Sequence, residues 1–306
     1  MLRIFTAVFV TIVVIGSAVA QNGQDSLFNL LDNDAKQQPK QKEYVKGTFK
    51  ATHVINGQSV EAPAKGVLQF VIMHRFNAFN QDGNNIFYNF FGLDAANIRI
   101  GLDYGINDRL SVGLGRSSLQ KMYDGSFKYK LLRQTENGGM PVTVVWYSDM
   151  AIETDNRSTS AEQIAFSSRV SYTNQLLIAR KFNKHLSLQL SPTIIHRNQV
   201  IAPQVNDVFS VGFSGRYMLT KRTSFNAEYF YLLPGYTANN YANVFSFGWD
   251  IETGGHVFQL MFTNSPAMIE PQFIAQNQGS YWKTLRFGFN ISRVFNVCNK
   301  KKPNKA

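Results

Sequence analysis

The sequence predicts an all-β protein, a transmembrane antiparallel up-and-down β-barrel of about twelve strands that follows a cleaved signal peptide. Three observations predict it. The chain begins with an export signal, apolar and polar residues alternate from residue 66 to 297, and the connections between these segments are alternately short and long. Such a protein is expected in the outer membrane of a Gram-negative bacterium, with both termini periplasmic.

Residues 1–20 have the three parts of a signal peptide. A basic start ends at Arg3, an apolar run covers residues 4–15, and small residues end the segment at Ala18-Val19-Ala20. The run is shorter than the roughly 20 residues of a spanning helix, so we expect cleavage before Gln21. The only cysteine, Cys298, leaves the exported chain without an intramolecular disulfide.

Residues 21–65 are expected to form a periplasmic lead-in, because the segment is polar and precedes the alternating pattern. Within it, Asn56-Gly57 predicts a hairpin, since both central residues of a tight two-residue turn need positive φ. The sequence leaves open whether this hairpin joins the barrel or lies below it.

Strands are predicted from residue 66 onward by an apolar period of two. Aromatic and aliphatic residues at 245, 247, 249 and 251, for example, alternate with Ser246, Gly248, Asp250 and Glu252. The predicted strands are 67–77, 95–106, 109–117, 122–133, 141–152, 167–182, 185–197, 207–220, 222–234, 243–252, 255–264 and 282–297. Together they make a barrel domain of residues 66–297, which a basic periplasmic tail of residues 298–306 follows.

The predicted connections alternate in length. Links at 107–108, 183–184, 221 and 253–254 are short and fall on the inner side if the first strand runs outward. Most others, including 79–94 and 265–281, are longer and fall outside, as in bacterial barrels. Two exceptions are a short outer loop at 118–121 and a longer inner connection at 134–140.

A soluble β-sandwich would also alternate, so the apolar face needs a second argument. Aromatic residues dominate that face and Tyr or Trp recur near strand ends, which favours contact with lipid. The predicted interface aromatics are Tyr104, Trp146, Tyr217, Trp249, Trp282 and Phe295. His74 and Arg75 are expected to anchor the end of the first strand at the same interface, with a ligand role as the alternative. Phe295, near the end of the last strand, resembles a recognition signal for barrel-insertion machinery, so that machinery and outer-membrane lipid are expected partners.

Several short motifs carry a resemblance: His74-Arg75-Phe76, Phe91-Gly92-Leu93-Asp94, Ile98-Arg99-Ile100-Gly101-Leu102, Asp108-Arg109-Leu110, Gly113 to Ser117, Tyr123-Asp124-Gly125 and Lys128-Tyr129. Through them the chain, from Gly66 to Val297, resembles an uncharacterised outer-membrane β-barrel family of Bacteroidota, a family of domains of unknown function. The resemblance implies an outer-membrane barrel and no assigned activity.

Charged residues on the polar face are the candidate lumen lining. They are Arg99, Asp103, Lys128, Lys130, Arg216, Glu228, Asp250, Glu252 and Arg286. Because both signs occur, they either brace or plug the interior as cross-strand pairs or line a wet, weakly selective path. The sequence leaves both interpretations open.

The net charge of +11 does not indicate nucleic-acid binding. Residues 66–297 hold 20 Lys and Arg against 15 Asp and Glu, so over half of the excess lies outside the predicted barrel. No metal or cofactor motif and no compact catalytic motif is present, so an enzyme is not expected. The leading hypothesis is a passive channel or transport barrel for small polar or anionic solutes. The alternatives are a non-conducting structural or partner-docking barrel and, third, an outer-membrane hydrolase.

Overall fold

The computed structural model describes residues 43–80, 87, 90–155, 165–200, 202–235, 241–278 and 283–298. In this part of the chain twelve antiparallel strands close into a barrel, each paired with its sequence neighbours and the first paired with the last. The strands are β1 (Val67–Ala78), β2 (Ala96–Gly105), β3 (Leu110–Ser117), β4 (Tyr123–Leu132), β5 (Thr143–Ile152), β6 (Val170–Lys181), β7 (Leu186–Arg197), β8 (Asp207–Met218), β9 (Thr223–Leu232), β10 (Val244–Thr253), β11 (His256–Thr263) and β12 (Arg286–Asn296). The predicted fold class and strand number are confirmed.

Some predictions lie outside the described residues, namely the signal peptide, residues 21–42 of the lead-in, Trp282 and the tail from residue 299. Elsewhere the predicted strand limits differ from the observed ones by a few residues. β6 begins at Val170 instead of residue 167, because Phe166–Arg169 form a turn of 3-10 helix. The helices in the described part of the chain are all too short to span a bilayer.

Burial alternates along the strands with the period that the sequence predicts. In β8, Arg216 is 2% exposed whereas Phe213 and Tyr217 are 54% and 52% exposed. Because successive side chains of a strand point to opposite faces, mainly polar and small residues line the inside, with some apolar ones such as Leu177 and Phe230, and apolar residues cover the outside. This inward face is called the inner wall below.

The two ends of the barrel differ. The connections after β2, β6, β8 and β10 are tight, and they lie with the longer β4–β5 connection at what we call the turn end. Asn107 closes one tight turn, its Oδ1 accepting from the N–H groups of Arg109 and Leu110 at 2.8 Å each. The connections after the odd-numbered strands form the opposite, loop end.

The interior of the barrel is filled by two segments of the same chain. Residues 48–61, called the plug, precede β1 and are buried or half-buried. Residues 264–277, called the cap, connect β11 to β12 and include the short helix α1 (Glu270–Phe273), which is buried throughout. The sequence predicts an outer loop at 265–281, but the cap side chains fold inward, where Phe273 packs against Phe230 of β9 at a ring distance of 5.1 Å.

Candidate functional site: a plugged lumen

The plug is a hairpin whose tip lies inside the barrel, so the location that the sequence left open is now defined. The backbone N–H of Val54 donates to the carbonyl of Gly57 at 2.8 Å, and that of Ser59 donates to Thr52 at 2.9 Å. The predicted two-residue turn is wrong in detail, because neither Asn56 nor Gly57 has positive φ. The reason is that the inner wall, more than a partner strand, satisfies the backbone of this tip.

A carboxylate of the wall holds the tip. The side chain of Glu228 accepts hydrogen bonds from the backbone N–H groups of Asn56 at 2.8 Å and Gly57 at 3.1 Å. The side-chain amide of Asn56 in turn donates to Ser246 at 2.9 Å and to Thr263 at 3.0 Å. The tip is therefore bonded to β9, β10 and β11 at once, which is possible only from inside the barrel.

The ring of Phe230 and the guanidinium of Arg75 also contact the tip of the plug. Gly57 lies against Phe230, where a Cβ would come within 2.5 Å of a ring carbon, so no larger residue fits without movement. Arg75, from β1, donates through Nε to the side-chain carbonyl of Asn56 at 3.0 Å and is fully buried. The expectation that Arg75 anchors the strand end at the interface is wrong, because alternation turns it inward while His74 faces outward.

One lysine binds three plug carbonyls. The ammonium of Lys128, on β4, donates to the backbone oxygens of Thr52 at 2.8 Å, Ser59 at 3.0 Å and Glu61 at 3.1 Å. These oxygens come from both arms of the hairpin. Lys128 thus ties the two arms together and to the wall.

Neutral amides of the wall bind further backbone groups. Gln259 donates to the carbonyls of His53 at 3.2 Å and Val54 at 3.0 Å, and Asn290 donates to that of Ile55 at 3.0 Å. Gln189 both accepts from the N–H of residue 60 at 3.0 Å and donates to the carbonyl of residue 58 at 2.7 Å. Wall side chains that bond the backbone of the plug are called the anchor residues: Arg75, Lys128, Gln189, Glu228, Gln259 and Asn290.

The chain reaches the plug through the turn end. Val45 donates its N–H to the carbonyl of Gln134 at 2.9 Å, and the guanidinium of Arg133 lies 3.9 Å from the ring centre of Tyr44. Both partners belong to the β4–β5 connection, the one whose length is exceptional in the sequence. Residues of this longer connection therefore hold the segment that leads into the plug.

The structure places the predicted lumen residues in several different roles. Arg99, Lys128, Arg216, Glu228, Asp250 and Arg286 are buried inside, Asp103 and Lys130 are half-buried, and Glu252 is exposed. Arg99 braces the wall by pairing with Asp124 of β4. Asp250 accepts from Gln259 at 3.0 Å, while Glu252 pairs at 2.6 Å with Lys50 of the plug.

The two predicted lumen residues not yet described are Arg286 and Arg216. Arg286 donates to the backbone oxygen of Phe76 at 3.2 Å. Arg216 lies opposite Ser187 of β7, with Ser214 two residues along β8 and Ser224 diagonally across on β9. The Nε and Nη2 atoms of Arg216 and the three serine hydroxyls are buried without a hydrogen-bond partner among the described residues. These four residues, Ser187, Ser214, Arg216 and Ser224, are called the bare patch.

Sequence reasoning missed most anchor residues because it sought charge. Gln189, Gln259 and Asn290 are neutral, and nothing in their type separates them from an ordinary polar lining. Their strand parity was the available signal, since each lies at a position that alternation turns inward.

Asp149 of β5 and Glu270 of the cap are two buried acidic side chains that interact electrostatically. The hydroxyl of Tyr147 donates to Glu270 Oε2 at 3.3 Å, while Glu270 Oε1 and both carboxylate oxygens of Asp149 are buried without a partner among the described residues. Burial raises the pKa of Glu270 from 4.5 to about 7. In the part of the chain that the structure describes, no group of three or more His, Cys, Asp or Glu side chains is arranged to hold a metal.

Of the predicted interface aromatics, Trp146, Tyr217, Trp249 and Phe295 are 37–52% exposed, and Tyr104 is half-buried. Their location at a lipid interface stays a prediction. Two histidines have polar surroundings of different kinds. His53 lies buried in the plug, and His196 pairs with Asp207 at 2.7 Å, where both side chains are about half exposed.

One known family matches both the barrel and most of the plug. Residues 49–295 match the family described as "Membrane bound beta barrel domain (DUF5777)", a match that begins inside the plug. The NanC porin is 10% identical, with 74% of this chain and 98% of that chain covered and a TM-score of 0.46. The KdgM porin is 9% identical over 74% and 99% of the two chains, with a TM-score of 0.46. An outer-membrane channel from Pseudomonas putida F1 is 13% identical over 77% and 97%, with a TM-score of 0.43. No curated protein matches the sequence. The family match covers most of the chain, and the protein therefore belongs to this family of membrane-bound β-barrel domains.

Proposed function

We propose that the protein is an outer-membrane transport barrel for small polar solutes, which its own plug and cap hold closed and which opens when the plug moves. The observation that carries this proposal is the way the plug is held. Wall side chains bond the carbonyls of residues 52–55, 58, 59 and 61 and the N–H groups of residues 56, 57 and 60. Water can replace each of these partners, so release of the plug exposes a wall that is already polar.

The plug also makes apolar contacts with the wall. Phe49, Val54, Ile55 and Val60 of the plug form one buried cluster with wall residues that include Leu177. Here the polar anchors surround them, and inner-wall charges of both signs suit small polar solutes with weak charge preference.

The orientation follows from the two ends. Short turns face the periplasm and long loops face outward in bacterial barrels, so the turn end and both termini are periplasmic in this proposal. The plug then enters from the periplasm. Outer-membrane lipid contacts the outer face, and β12, with Phe295 exposed near its end, is the strand that insertion machinery would recognise.

A reversible crosslink tests the proposal. The lock variant combines Cys298→Ser with Asn56→Cys and Ser246→Cys, at side chains that now lie 2.9 Å apart. In the oxidised form the disulfide fixes the plug to β10, and in the reduced form the plug has lost the bonds of Asn56. We expect conductance in planar bilayers that appears on reduction and disappears on oxidation.

The matched control joins two wall residues to each other and leaves the plug without a crosslink. Ser246→Cys with Thr263→Cys, also in the Cys298→Ser background, joins β10 to β11, where the two hydroxyls are now 2.9 Å apart. Its conductance should not change with oxidation. A folded lock variant that carries no current in either form would contradict a transport function.

That outcome would favour the second candidate, a non-conducting barrel that docks a partner. One observation supports this alternative, which is that the plug and the cap together fill the interior from both ends. A partner-docking barrel should give a specific crosslinked companion in cells, whereas a transport barrel needs none.

A further inference from the structure

The closed state explains the anchor residues but not the bare patch. Each anchor has a partner in the plug, whereas the hydroxyls of Ser187, Ser214 and Ser224 have none among the described residues. A buried polar group without a partner destabilises a fold by about 1–3 kcal/mol. Four such residues side by side on the wall indicate that another partner uses them when the plug is absent.

Another arginine of the wall shows what such a partner is. Arg99 binds Asp124 with the Nε and Nη2 edge of its guanidinium, each nitrogen donating to a different carboxylate oxygen. Arg216 presents the same two nitrogens, and neither has a partner among the described residues. This edge matches the two oxygens of a carboxylate, which makes a carboxylate its natural ligand.

The carboxylates whose charges offset that of Arg216 are bonded elsewhere. They are Glu61, Asp250 and Glu252. Glu61, in the plug, accepts from the N–H groups of residues 48 and 49 at 2.7 and 3.2 Å, and its charge leaves the patch when the plug moves. Asp250 is bonded by Gln259, and Glu252 lies at the exposed mouth. Release of the plug therefore removes one of the carboxylates that offset the charge of Arg216.

We propose that the bare patch is a binding site for the carboxylate group of a solute, which is uncovered when the plug moves. Arg216 binds the two carboxylate oxygens, and the hydroxyls of Ser187, Ser214 and Ser224 donate to the same group. The proposal rests on the transport function above and gives it a substrate class, small organic carboxylates.

The test measures sodium acetate conductance against concentration in the reduced lock variant. A binding site gives a current that saturates, and Arg216→Gln should make it rise linearly. Arg286→Gln removes the same charge from another inner-wall position and should leave saturation in place. Ser187→Ala with Ser224→Ala keeps every charge and should raise the half-saturating concentration about three- to tenfold, because two donors are lost.

The possible results separate the two proposals. Absence of any current in the reduced lock variant overturns the transport function, and the solute site with it. A current that is linear without further substitution, or saturation that survives Arg216→Gln, overturns the solute site alone. An unchanged half-saturation in the double serine variant also overturns it, since Arg216 would then act only through its charge.

Discussion

The anchor residues and the bare patch lie on one inner wall, yet their surroundings differ. Lys128 and Glu228 have polar partners in the plug within 3.1 Å, whereas Arg216 and Ser214 have buried polar atoms without a partner among the described residues. The first set stabilises the closed barrel and the second destabilises it. The difference teaches that the wall is not complementary to the plug all round, as the lining of a permanent core would be.

The contrast within one residue type is sharper still. Arg99 and Arg216 both come from the inner wall and both are buried, at 7% and 2% exposure. Arg99 is bonded within the wall and braces it, as the sequence allowed. Arg216 is neither an anchor nor a brace, so plug release changes its surroundings without breaking a bond of its Nε or Nη2 atoms.

Removal of the strongest anchor is expected to have the largest effect. Lys128→Met leaves the carbonyls of Thr52, Ser59 and Glu61 without their shared donor, which should weaken plug binding by about 3 kcal/mol. Amide hydrogen exchange in the plug should then accelerate by more than about a hundredfold. Lys130→Met, two residues along the same face, is the control and should leave exchange nearly unchanged. Equal protection in both variants would mean that Lys128 does not anchor the plug.

Disruption of the contact between Gly57 and Phe230 is expected to have the next largest effect. Gly57→Ala places a methyl group 2.5 Å from the ring of Phe230, and overpacking of this kind destabilises by about 2 kcal/mol. Plug exchange should therefore accelerate, and the added substitution Phe230→Leu should restore part of the protection. Gly139→Ala, where the new Cβ meets its nearest atom at 3.5 Å, is the matched control. A neutral result for Gly57→Ala would show that the tip is not held against the ring.

The inner wall was predictable from the sequence, whereas the plug and the cap inside it were not. Alternation has a fixed period, so it sets which side chains of β8 or β10 point inward without any knowledge of contacts. The plug and the cap have no such period. Asn56-Gly57 predicted a hairpin, but only the long-range contacts with Glu228 and Phe230 determine where the hairpin lies and why its turn differs.

The candidate site, too, was only partly predictable from the sequence. Charge and parity were enough to select Arg216 and Lys128, but not to distinguish a residue with three partners from one with two unbonded nitrogens. The cap was hidden by its position, since a segment between two strands reads as an outer loop. Its apolar run at residues 267–269 and 273–275 was the signal that it is buried.

The stability of the cap, at the loop end, is expected to depend on pH. Burial raises the pKa of the Glu270 carboxyl from 4.5 to about 7. Tyr147 bonds this carboxyl, and the charges that act on it belong to Arg99, Lys128, Asp124 and Asp149. The seated cap thus favours the neutral carboxyl, so its stabilisation is complete below about pH 4.5 and is lost as pH rises through about 7. Exchange in the cap, corrected for intrinsic rates, should accelerate about tenfold between pH 5 and 8, equivalent to about 1.4 kcal/mol. Glu270→Gln should remove this dependence, and a dependence that persists would assign it to another group.

The smallest expected effect separates the two regions most directly. Ser187→Ala and Ser214→Ala remove hydroxyls without a partner among the described residues, so the closed barrel should keep its free energy of unfolding or gain up to about 1 kcal/mol. Ser246→Ala is the matched control, because its hydroxyl accepts from Asn56 and bonds Thr263, and its loss should destabilise by about 1 kcal/mol. Unfolding in detergent micelles measures all three. Opposite signs would establish that one wall carries both bonded and unbonded polar surface, whereas equal losses would mean that the bare patch has partners of its own in the closed state.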